Sequence, residues 1–361
     1  MPDPAAEASP SSPSKKNLSS EISRLAETAV KDGRVAGISF VVTKDGNVLA
    51  SGAAGFADLE NRVPATPDTV YAIGSITKQF TAAAVLLLAD EGKLSLEDPI
   101  GKFAPDFPEP GRNATVRMLL QHTSGIRSMT RMGPRYWAQA GREIAPLDLV
   151  ALFAREPPDF PPGTAYAYSN SGYVLLGIVV EKASGEPWGT FLRERFFERL
   201  GLTHTRDGSA PDLVPHRARG YSKEGGRFEN AWHVSPSQGY AAGALLSTAG
   251  DLAAWTRRLH TAPPISPASF RAMTTPPLLG GKTTGYGMGM GVGDLGGHRL
   301  FFHGGGLPGF DAQAIYFPDD DLTVVVLCNT DGGDVAFRIE DAVSRRVLGV
   351  ASDAPRRPLP P

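Results

Sequence analysis

A serine and a lysine three residues apart stand in the stretch of this chain best suited to covalent chemistry. Ser75 and Lys78 follow the short extended run 70–73 and open an apolar helical pattern that ends at Gly92. Ser75 is therefore predicted at the amino end of a helix, where unpaired backbone N–H groups favour developing negative charge. A lysine buried among Ala and Leu can have its pKa lowered enough to take the serine proton. The pair predicts a nucleophile with its own base.

The spacing of this pair is not specific by itself. Ser12 and Lys15 repeat it within a segment rich in Pro and Ser, where no active site is expected. A serine that caps a helix and a solvated lysine would give the same pattern. What distinguishes Ser75 is its apolar surroundings and two later fragments of the chain.

The first of these fragments is Tyr168-Ser-Asn170, which is the only Tyr-x-Asn in the sequence. The phenol of Tyr168 can pass a proton to a leaving group, and the amide of Asn170 can hold a substrate carbonyl. The alternative interpretation is a plain turn, because Asn is frequent in turns.

The second fragment is the glycine-rich segment 302–310, which contains the only His-x-Gly of the chain, at His303. Its glycines, Gly305 among them, let a substrate lie against the backbone. The N–H of Gly306 is predicted to pair with that of Ser75 as an oxyanion hole. A glycine-rich hairpin with an exposed histidine is the alternative.

Strand patterns stand at both ends of the sequence and helical patterns lie between them. An Asp-Gly turn joins two N-terminal strands, as is typical of a tight hairpin. The predicted strands are 37–43, 47–53, 241–247, 286–292, 300–303, 312–317 and 323–328, and the terminal helices are 18–31 and 335–348. The pattern predicts an α/β (α+β) fold in which the N-terminal hairpin and the C-terminal strands form one antiparallel sheet flanked by helices, beside a mostly helical lobe.

The domain prediction follows from this order of elements. We expect one catalytic domain of two lobes between two tails. The ranges are 1–17 for a disordered tail, 18–350 for the domain, 18–74 and 281–350 for its sheet lobe, 75–280 for its helical lobe, and 351–361 for a frayed end.

Composition excludes several classes of function. The 361 residues carry a net charge of −2, so there is no basic footprint for nucleic acid. The sequence contains no run of eighteen apolar residues, so no membrane span is predicted. Cys328 is the one cysteine, so no disulfide forms within the chain. No metal-binding motif or phosphate loop occurs, and we expect neither metal nor cofactor.

The first seventeen residues lack the apolar core of a leader. We therefore expect a soluble protein, periplasmic or secreted if a leader has been removed and otherwise cytoplasmic.

Taken in order, the three fragments resemble those of the serine β-lactamase and penicillin-binding-protein-like superfamily. The resemblance is greater to the branch that contains class C β-lactamases, D-aminopeptidases, D,D-peptidases and family VIII esterases. It extends from about residue 18 to 348 and includes the accessory phrases at 119–125 and 242–251.

The resemblance implies a β-lactamase/transpeptidase-like fold with the site in the cleft between two lobes. It implies that Ser75 accepts the acyl group, that Lys78 is its base, and that Tyr168 shuttles protons. Asn170 and His303 would hold the substrate.

Three functional hypotheses follow from these residues. The first is a serine hydrolase that works through an acyl-enzyme on Ser75, an esterase or β-lactamase-related hydrolase of small acyl substrates. The second uses the same residues in a D-aminopeptidase, D,D-peptidase or β-lactamase acting on peptidoglycan-like amides or β-lactams. The third is a non-catalytic penicillin-binding-like protein. The partner is a small ester, amide or lactam, and the oligomeric state stays open.

One departure from the superfamily predicts a substrate preference. Where β-lactamases usually carry Lys-Thr-Gly, this chain has His303 followed by two glycines. A neutral histidine and Gly304 lack the ammonium and hydroxyl that grip the carboxylate of a penicillin, which weakens that recognition by about 2 kcal/mol. We expect short-chain p-nitrophenyl esters to be hydrolysed faster than nitrocefin in matched assays. Nitrocefin turnover far above ester turnover would contradict this ranking.

Overall fold

A seven-stranded antiparallel sheet built from both ends of the chain organises the molecule. The computed structural model describes residues 15–332 and 334–356. Its strands are β1 (Gly37–Lys44), β2 (Asn47–Asp58), β3 (Val63–Pro64), β4 (Tyr71–Ala72), β5 (Arg206–Asp207), β6 (Tyr221–Glu224), β7 (Arg227–Asn230), β8 (Leu245–Ser247), β9 (Leu278–Leu279), β10 (Lys282–Thr283), β11 (Gly291–Leu295), β12 (His298–Leu307), β13 (Phe310–Phe317) and β14 (Leu322–Cys328).

Most of the helices lie between the two groups of sheet strands. They are α1 (Lys15–Lys31), α2 (Thr77–Asp90), α3 (Val116–Leu120), α4 (Pro134–Trp137), α5 (Pro146–Phe153), α6 (Asn170–Ser184), α7 (Trp188–Leu192), α8 (Glu198–Leu200), α9 (Pro236–Gly243), α10 (Ala249–Thr261), α11 (Pro267–Met273) and α12 (Val335–Leu348). A π-helical turn, Arg193–Phe197, joins α7 to α8. Short 3-10 turns also occur, and Gly74–Ile76 is the one that leads into α2.

The strand order of the main sheet confirms that the N-terminal hairpin closes onto the C-terminal strands. The order is β11-β12-β13-β14-β1-β2-β3. β1 pairs antiparallel with β14, with Phe40 opposite Val326. The turn between β1 and β2 places Asp45 and Gly46 at φ of 52° and 73°. Positive φ at both positions is the geometry that the Asp-Gly pair predicts.

The two faces of the sheet contact different helices because side chains alternate along each strand. In β1, Ile38, Phe40 and Val42 pack in the same cluster as the apolar residues of α1 and α12. Val41 points to the opposite face and joins the cluster that contains α2, α6 and α10. The sheet therefore separates the terminal helices from the helical part of the chain, and α2 lies in the middle of that part.

Four polar side chains of α2 are buried with partners, which fixes the helix in rotation; they are Thr77, Lys78, Gln79 and Thr81. Trp255 of α10 donates its indole N–H to Gln79 at 3.2 Å. Trp188 of α7 donates to the hydroxyl of Thr81 at 3.1 Å, and that hydroxyl donates to the carbonyl of Ala241 at 2.8 Å. A turned or shifted α2 would leave these buried groups without partners, at a cost of about 1–3 kcal/mol for each.

The predicted strand over 286–292 is wrong for its first five residues. β11 begins only at Gly291, and the segment before it leaves the sheet and crosses α2. A Cβ at Gly289, whose φ is +81°, would lie 2.7 Å from the carbonyl oxygen of Lys78. Because this backbone packs closely against α2, residues 286–290 do not form a strand, and Tyr286 lies near the site.

The strand predicted over 241–247 is likewise wrong in its first half. α9 continues to Gly243, and β8 covers Leu245–Ser247. Within α9 the backbone kinks at Tyr240, which has φ 39° and ψ −134°. The small residues after Tyr240 suit a strand as well as a helix, so their pattern could not distinguish the two.

The two ends of the described chain differ from the predicted tails. α1 begins at Lys15, within the predicted tail, and residues 1–14 lie outside the described residues. Residues 351–356 are held to the body: the Arg356 guanidinium lies 2.7 Å from the buried carboxylate of Glu340. Residues 357–361 lie outside the description, and the division into two lobes stays a prediction. Within 15–332 and 334–356, none of the helices combines the length and apolar character needed to cross a bilayer.

β12 crosses closely over the Gly74–Ile76 turn, and this close contact should make the stability sensitive to a side chain at Gly305 but not at Gly306. A Cβ at Gly305 would lie 2.0 Å from the carbonyl oxygen of Ile73, whereas one at Gly306 meets nothing within 4 Å. We expect Gly305→Ala to lower the free energy of unfolding by about 1–3 kcal/mol, because backbone must move. Gly306→Ala should change it by less than about 0.5 kcal/mol. Denaturant unfolding measures both, and equal effects would contradict this contact.

Candidate active site

Ser75 lies in the 3-10 turn that connects β4 to α2. Gly74 immediately before it has φ +50°, and a Cβ there would lie 3.0 Å from the backbone nitrogen of Gly306. Glycine thus fits a backbone conformation that other residues rarely adopt and a close approach of two chain segments. The result is a half-buried serine hydroxyl presented beside the end of β12.

Lys78 is fully buried, and its amine has three polar neighbours. Nζ lies 2.7 Å from the carbonyl oxygen of Ala242, 2.8 Å from Asn170 Oδ1 and 3.1 Å from Ser75 Oγ. Because burial removes the hydration that stabilises an ammonium, the pKa of Lys78 is held well below its usual value. Burial therefore favours the neutral amine over the ammonium at this position.

The identity of the three neighbours fits a neutral amine. A neutral lysine has two N–H donors and one lone pair. The carbonyl of Ala242 and Oδ1 of Asn170 can only accept, so they take the two N–H groups. In the neutral form the remaining lone pair faces Ser75 Oγ, whereas an ammonium would donate a third N–H to that oxygen. With a neutral amine, the serine proton can point towards Nζ.

Asn170 is fixed from several sides at the start of α6. Its amide nitrogen donates to the Thr130 hydroxyl at 3.2 Å, and its backbone N–H donates to Ser128 Oγ at 3.1 Å. Ser169 caps the helix by accepting from the N–H of Gly172 at 3.3 Å. Asn170 thus holds Lys78 and also borders the pocket at Ser75. Its contact with substrate stays a prediction.

The carbonyl of Ala242 is a functional group that the sequence did not reveal. The kink at Tyr240 turns the following two carbonyls towards α2, where that of Ala241 accepts from Thr81 and that of Ala242 binds Lys78. Side-chain motifs carry no signal for a backbone acceptor. The positive φ of Tyr240 appears only in the folded chain.

Tyr168 lies against the amine in a cluster of aromatic rings. Lys78 Nζ is 4.8 Å from the centre of its ring. Burial raises the pKa of Tyr168 above its ordinary value, and the neighbouring Ser75 hydroxyl partly opposes the rise. The phenol is therefore protonated at neutral pH. Among the described residues its oxygen has no partner with hydrogen-bond geometry. A protonated phenol without a partner is suited to donate to a leaving group.

The rings around Tyr168 form what we call the aromatic cluster, with neighbouring centroids 4.3 to 6.3 Å apart. Its members are His122, Tyr166, Tyr168, Tyr173, Tyr286 and His303. His122 accepts the backbone N–H of Ser169 on Nδ1 at 3.1 Å, which holds the loop before α6. Its φ of 59° is a conformation seen in only a few per cent of non-glycine residues.

His303 belongs to this cluster, and both of its ring nitrogens are already paired. Nδ1 lies 2.6 Å from the carbonyl oxygen of Gly304, so Nδ1–H donates there. The Tyr286 hydroxyl then donates to Nε2 at 2.9 Å. Burial, with Lys78 nearby, lowers the pKa of His303 to about 3, so the ring is neutral. The structure shows His303 bound to Tyr286, and its predicted contact with substrate stays a prediction.

Gly305 and Gly306 lie where β12 passes the serine turn. Gly306 and Ser75 border one small pocket of about 80 Å³, together with Asn170 and side chains from the 126–160 and 230–243 regions. The predicted oxyanion hole needs the N–H groups of Ser75 and Gly306 on one side of this pocket. Their shared pocket supports that role, which stays a prediction. Within the described ranges, no group of three or more His, Cys, Asp or Glu side chains could hold a metal ion.

The amino-acid sequence is similar to those of several known proteins. A family model described as beta-lactamase matches residues 22–348. Penicillin-binding protein 4* of Bacillus subtilis (strain 168) is 29% identical over 368 residues, which cover 95% of this chain and 79% of that protein. The D-aminopeptidase of Brucella anthropi is 29% identical over 316 residues, which cover 86% of this chain and 59% of that protein.

Comparison of structures agrees with the sequence match. A D-stereospecific amidohydrolase from Streptomyces sp. superposes with a TM-score of 0.79 and 30% identity, covering 92% of this chain and 99% of that one. The match of sequence and fold spans the sheet, the helical part and the site. The chain therefore belongs to the beta-lactamase family.

Proposed function

We propose that the protein is a serine hydrolase that cleaves small esters and amides through an acyl-enzyme on Ser75. One observation carries this proposal. Nζ of the buried Lys78 lies 3.1 Å from Ser75 Oγ, while Asn170 and Ala242 offer acceptors for two N–H groups, so the neutral amine keeps a lone pair for the serine proton. A serine hydroxyl becomes a useful nucleophile when such a base takes its proton.

The first step forms the acyl-enzyme. Oγ of Ser75 bonds to the substrate carbonyl carbon as its proton moves to Nζ of Lys78. The negative charge that develops on the carbonyl oxygen is met by the N–H groups of Ser75 and Gly306. Tyr168 gives its proton to the departing oxygen or nitrogen, and Lys78 returns a proton to Tyr168.

The second step releases the acyl group and restores the enzyme. Water loses a proton to the same base and attacks the acyl carbon, and Ser75 Oγ leaves and regains its proton. His303 takes no part in these transfers, because a pKa of about 3 makes it a weak base and both of its ring nitrogens are already paired. We assign it a positioning role through Tyr286.

Amides of D-amino acids are a second candidate substrate class. Two relatives support it by name, the D-aminopeptidase of Brucella anthropi and the D-stereospecific amidohydrolase from Streptomyces sp.. Amides have poorer leaving groups than esters, so they depend more on proton donation from Tyr168. We therefore expect replacement of Tyr168 by Phe to slow amide cleavage more than p-nitrophenyl ester cleavage.

The role of Lys78 as a base can be tested with a side chain that keeps N–H donors but cannot give up its proton. Lys78→Arg carries a guanidinium that does not lose its proton in proteins, so no base remains beside Ser75. We expect kcat/KM for a p-nitrophenyl ester to fall by roughly 100-fold or more. Lys93→Arg, at an exposed lysine 3.2 Å from Glu91, is the matched control and should leave kcat/KM unchanged.

The nucleophile is tested in the same series with a fluorophosphonate probe. Wild type should be labelled, and Ser75→Ala should not. Full activity of Lys78→Arg would contradict the base assignment. Labelling that persists in Ser75→Ala would contradict the nucleophile and with it the proposed function.

A further inference from the structure

A second and larger cavity adjoins the pocket at Ser75. It has a volume of about 310 Å³ and shares Val234, Gly239, Gly243, Leu307 and Pro308 with that pocket. Gly243 also lies against Gly74, the residue before the nucleophile, with its Cβ position 3.8 Å from the Gly74 carbonyl carbon. A substrate that reaches Ser75 can therefore extend into this cavity. We call it the arginine groove, because Arg217 and Arg219 line it.

The charges of the arginine groove have one sign. Arg217, Arg219 and His233 border it with the amide of Asn230, and no Asp or Glu is among its lining residues. Arg219 lies 3.9 Å from the carboxylate of Asp58 and also within electrostatic reach of Glu60. Within the described ranges Arg217 makes no ion pair and no side-chain hydrogen bond. Its guanidinium can therefore bind an incoming anion without breaking a contact.

The backbone that carries these arginines is tied to the segment that leads to the nucleophile. Arg217 forms an isolated bridge with Val70, and the N–H of Ala218 donates to the carbonyl of Val70 at 2.9 Å. The N–H of Arg219 donates to Ala57 at 2.8 Å. Val70 precedes Ser75 by only five residues. The arginines are thus held in a fixed relation to the serine turn.

The position of the groove indicates which part of a substrate it receives. None of the six rings of the aromatic cluster lines it. In the mechanism proposed above, Tyr168 protonates the leaving group, so the leaving group lies on the side of that cluster. The groove opens instead beyond Gly243 and Leu307, where the acyl part of a bound substrate extends.

We propose that the arginine groove is an acyl subsite for a carboxylate, so that preferred substrates carry a negative charge on the acyl chain away from the scissile bond. This assignment rests on the proposed acyl-enzyme function. Arginine is suited to the role because its planar fork binds carboxylates through paired hydrogen bonds.

The test compares two nearly isosteric esters. The p-nitrophenyl monoester of adipic acid carries the carboxylate, and the p-nitrophenyl methyl diester of adipic acid lacks the charge. At low ionic strength we expect wild type to favour the charged ester in kcat/KM by roughly fivefold or more, with the preference shrinking as salt screens the groove. Arg217→Gln combined with Arg219→Gln should remove that preference and leave turnover of the methyl ester unchanged.

Arg227→Gln supplies the matched control, since this exposed arginine lies on β7 outside the groove lining. It should keep the full preference. A preference that survives in the double variant, or that is absent in wild type, would overturn the proposal. So would a preference confined to a carboxylate on the leaving group, measured with 3-acetoxybenzoate against phenyl acetate.

A binding measurement separates this proposal from the proposed function. Calorimetry with Ser75→Ala, which cannot form the acyl-enzyme, compares the affinities of the two adipate esters directly. Tighter binding of the charged ester, lost when Arg217 and Arg219 are replaced, supports the groove even if wild type hydrolyses neither ester. Equal affinities would overturn the groove even if Ser75 proves to be the nucleophile.

Discussion

The site depends on the burial of one amine. Lys78 is wholly enclosed, and its pKa is lowered because no water remains to solvate an ammonium. The same enclosure would destabilise the fold if the amine had no partners. Asn170 and Ala242 supply acceptors for two of its N–H groups, and Ser75 Oγ lies 3.1 Å from Nζ. Stability and reactivity are therefore set by the same three contacts.

Much of the surrounding structure serves to hold those contacts. Two tryptophans fix α2 through its other buried polar side chains. The kinked α9 turns the Ala242 carbonyl inwards, and capped α6 presents Asn170. The sheet contributes β12, whose glycines allow it to approach the serine turn. Each element is ordinary by itself, and their convergence on Lys78 gives a half-buried hydroxyl next to a buried amine.

The sequence predicted the parts of the fold whose periodicity is local. α12 has the predicted bounds, and the β1–β2 hairpin follows from its Asp-Gly turn. Prediction was wrong where tertiary contacts override pattern, as for the segment before β11 that crosses α2. At the site, Ser75, Lys78, Tyr168 and Asn170 carried recognisable motifs and do lie together. The Ala242 carbonyl and the Tyr286 hydroxyl had no motif, because their roles arise from backbone direction and from distant packing.

The charge on Lys78 can be measured directly by NMR of protein labelled with ¹⁵N at the lysine side chains, with its resonance assigned through Lys78→Arg. We expect one lysine that is neutral at pH 8 and titrates well below the others. If every lysine titrates near the usual value of about 10.4, Lys78 is a buried ammonium and is not the base that activates Ser75.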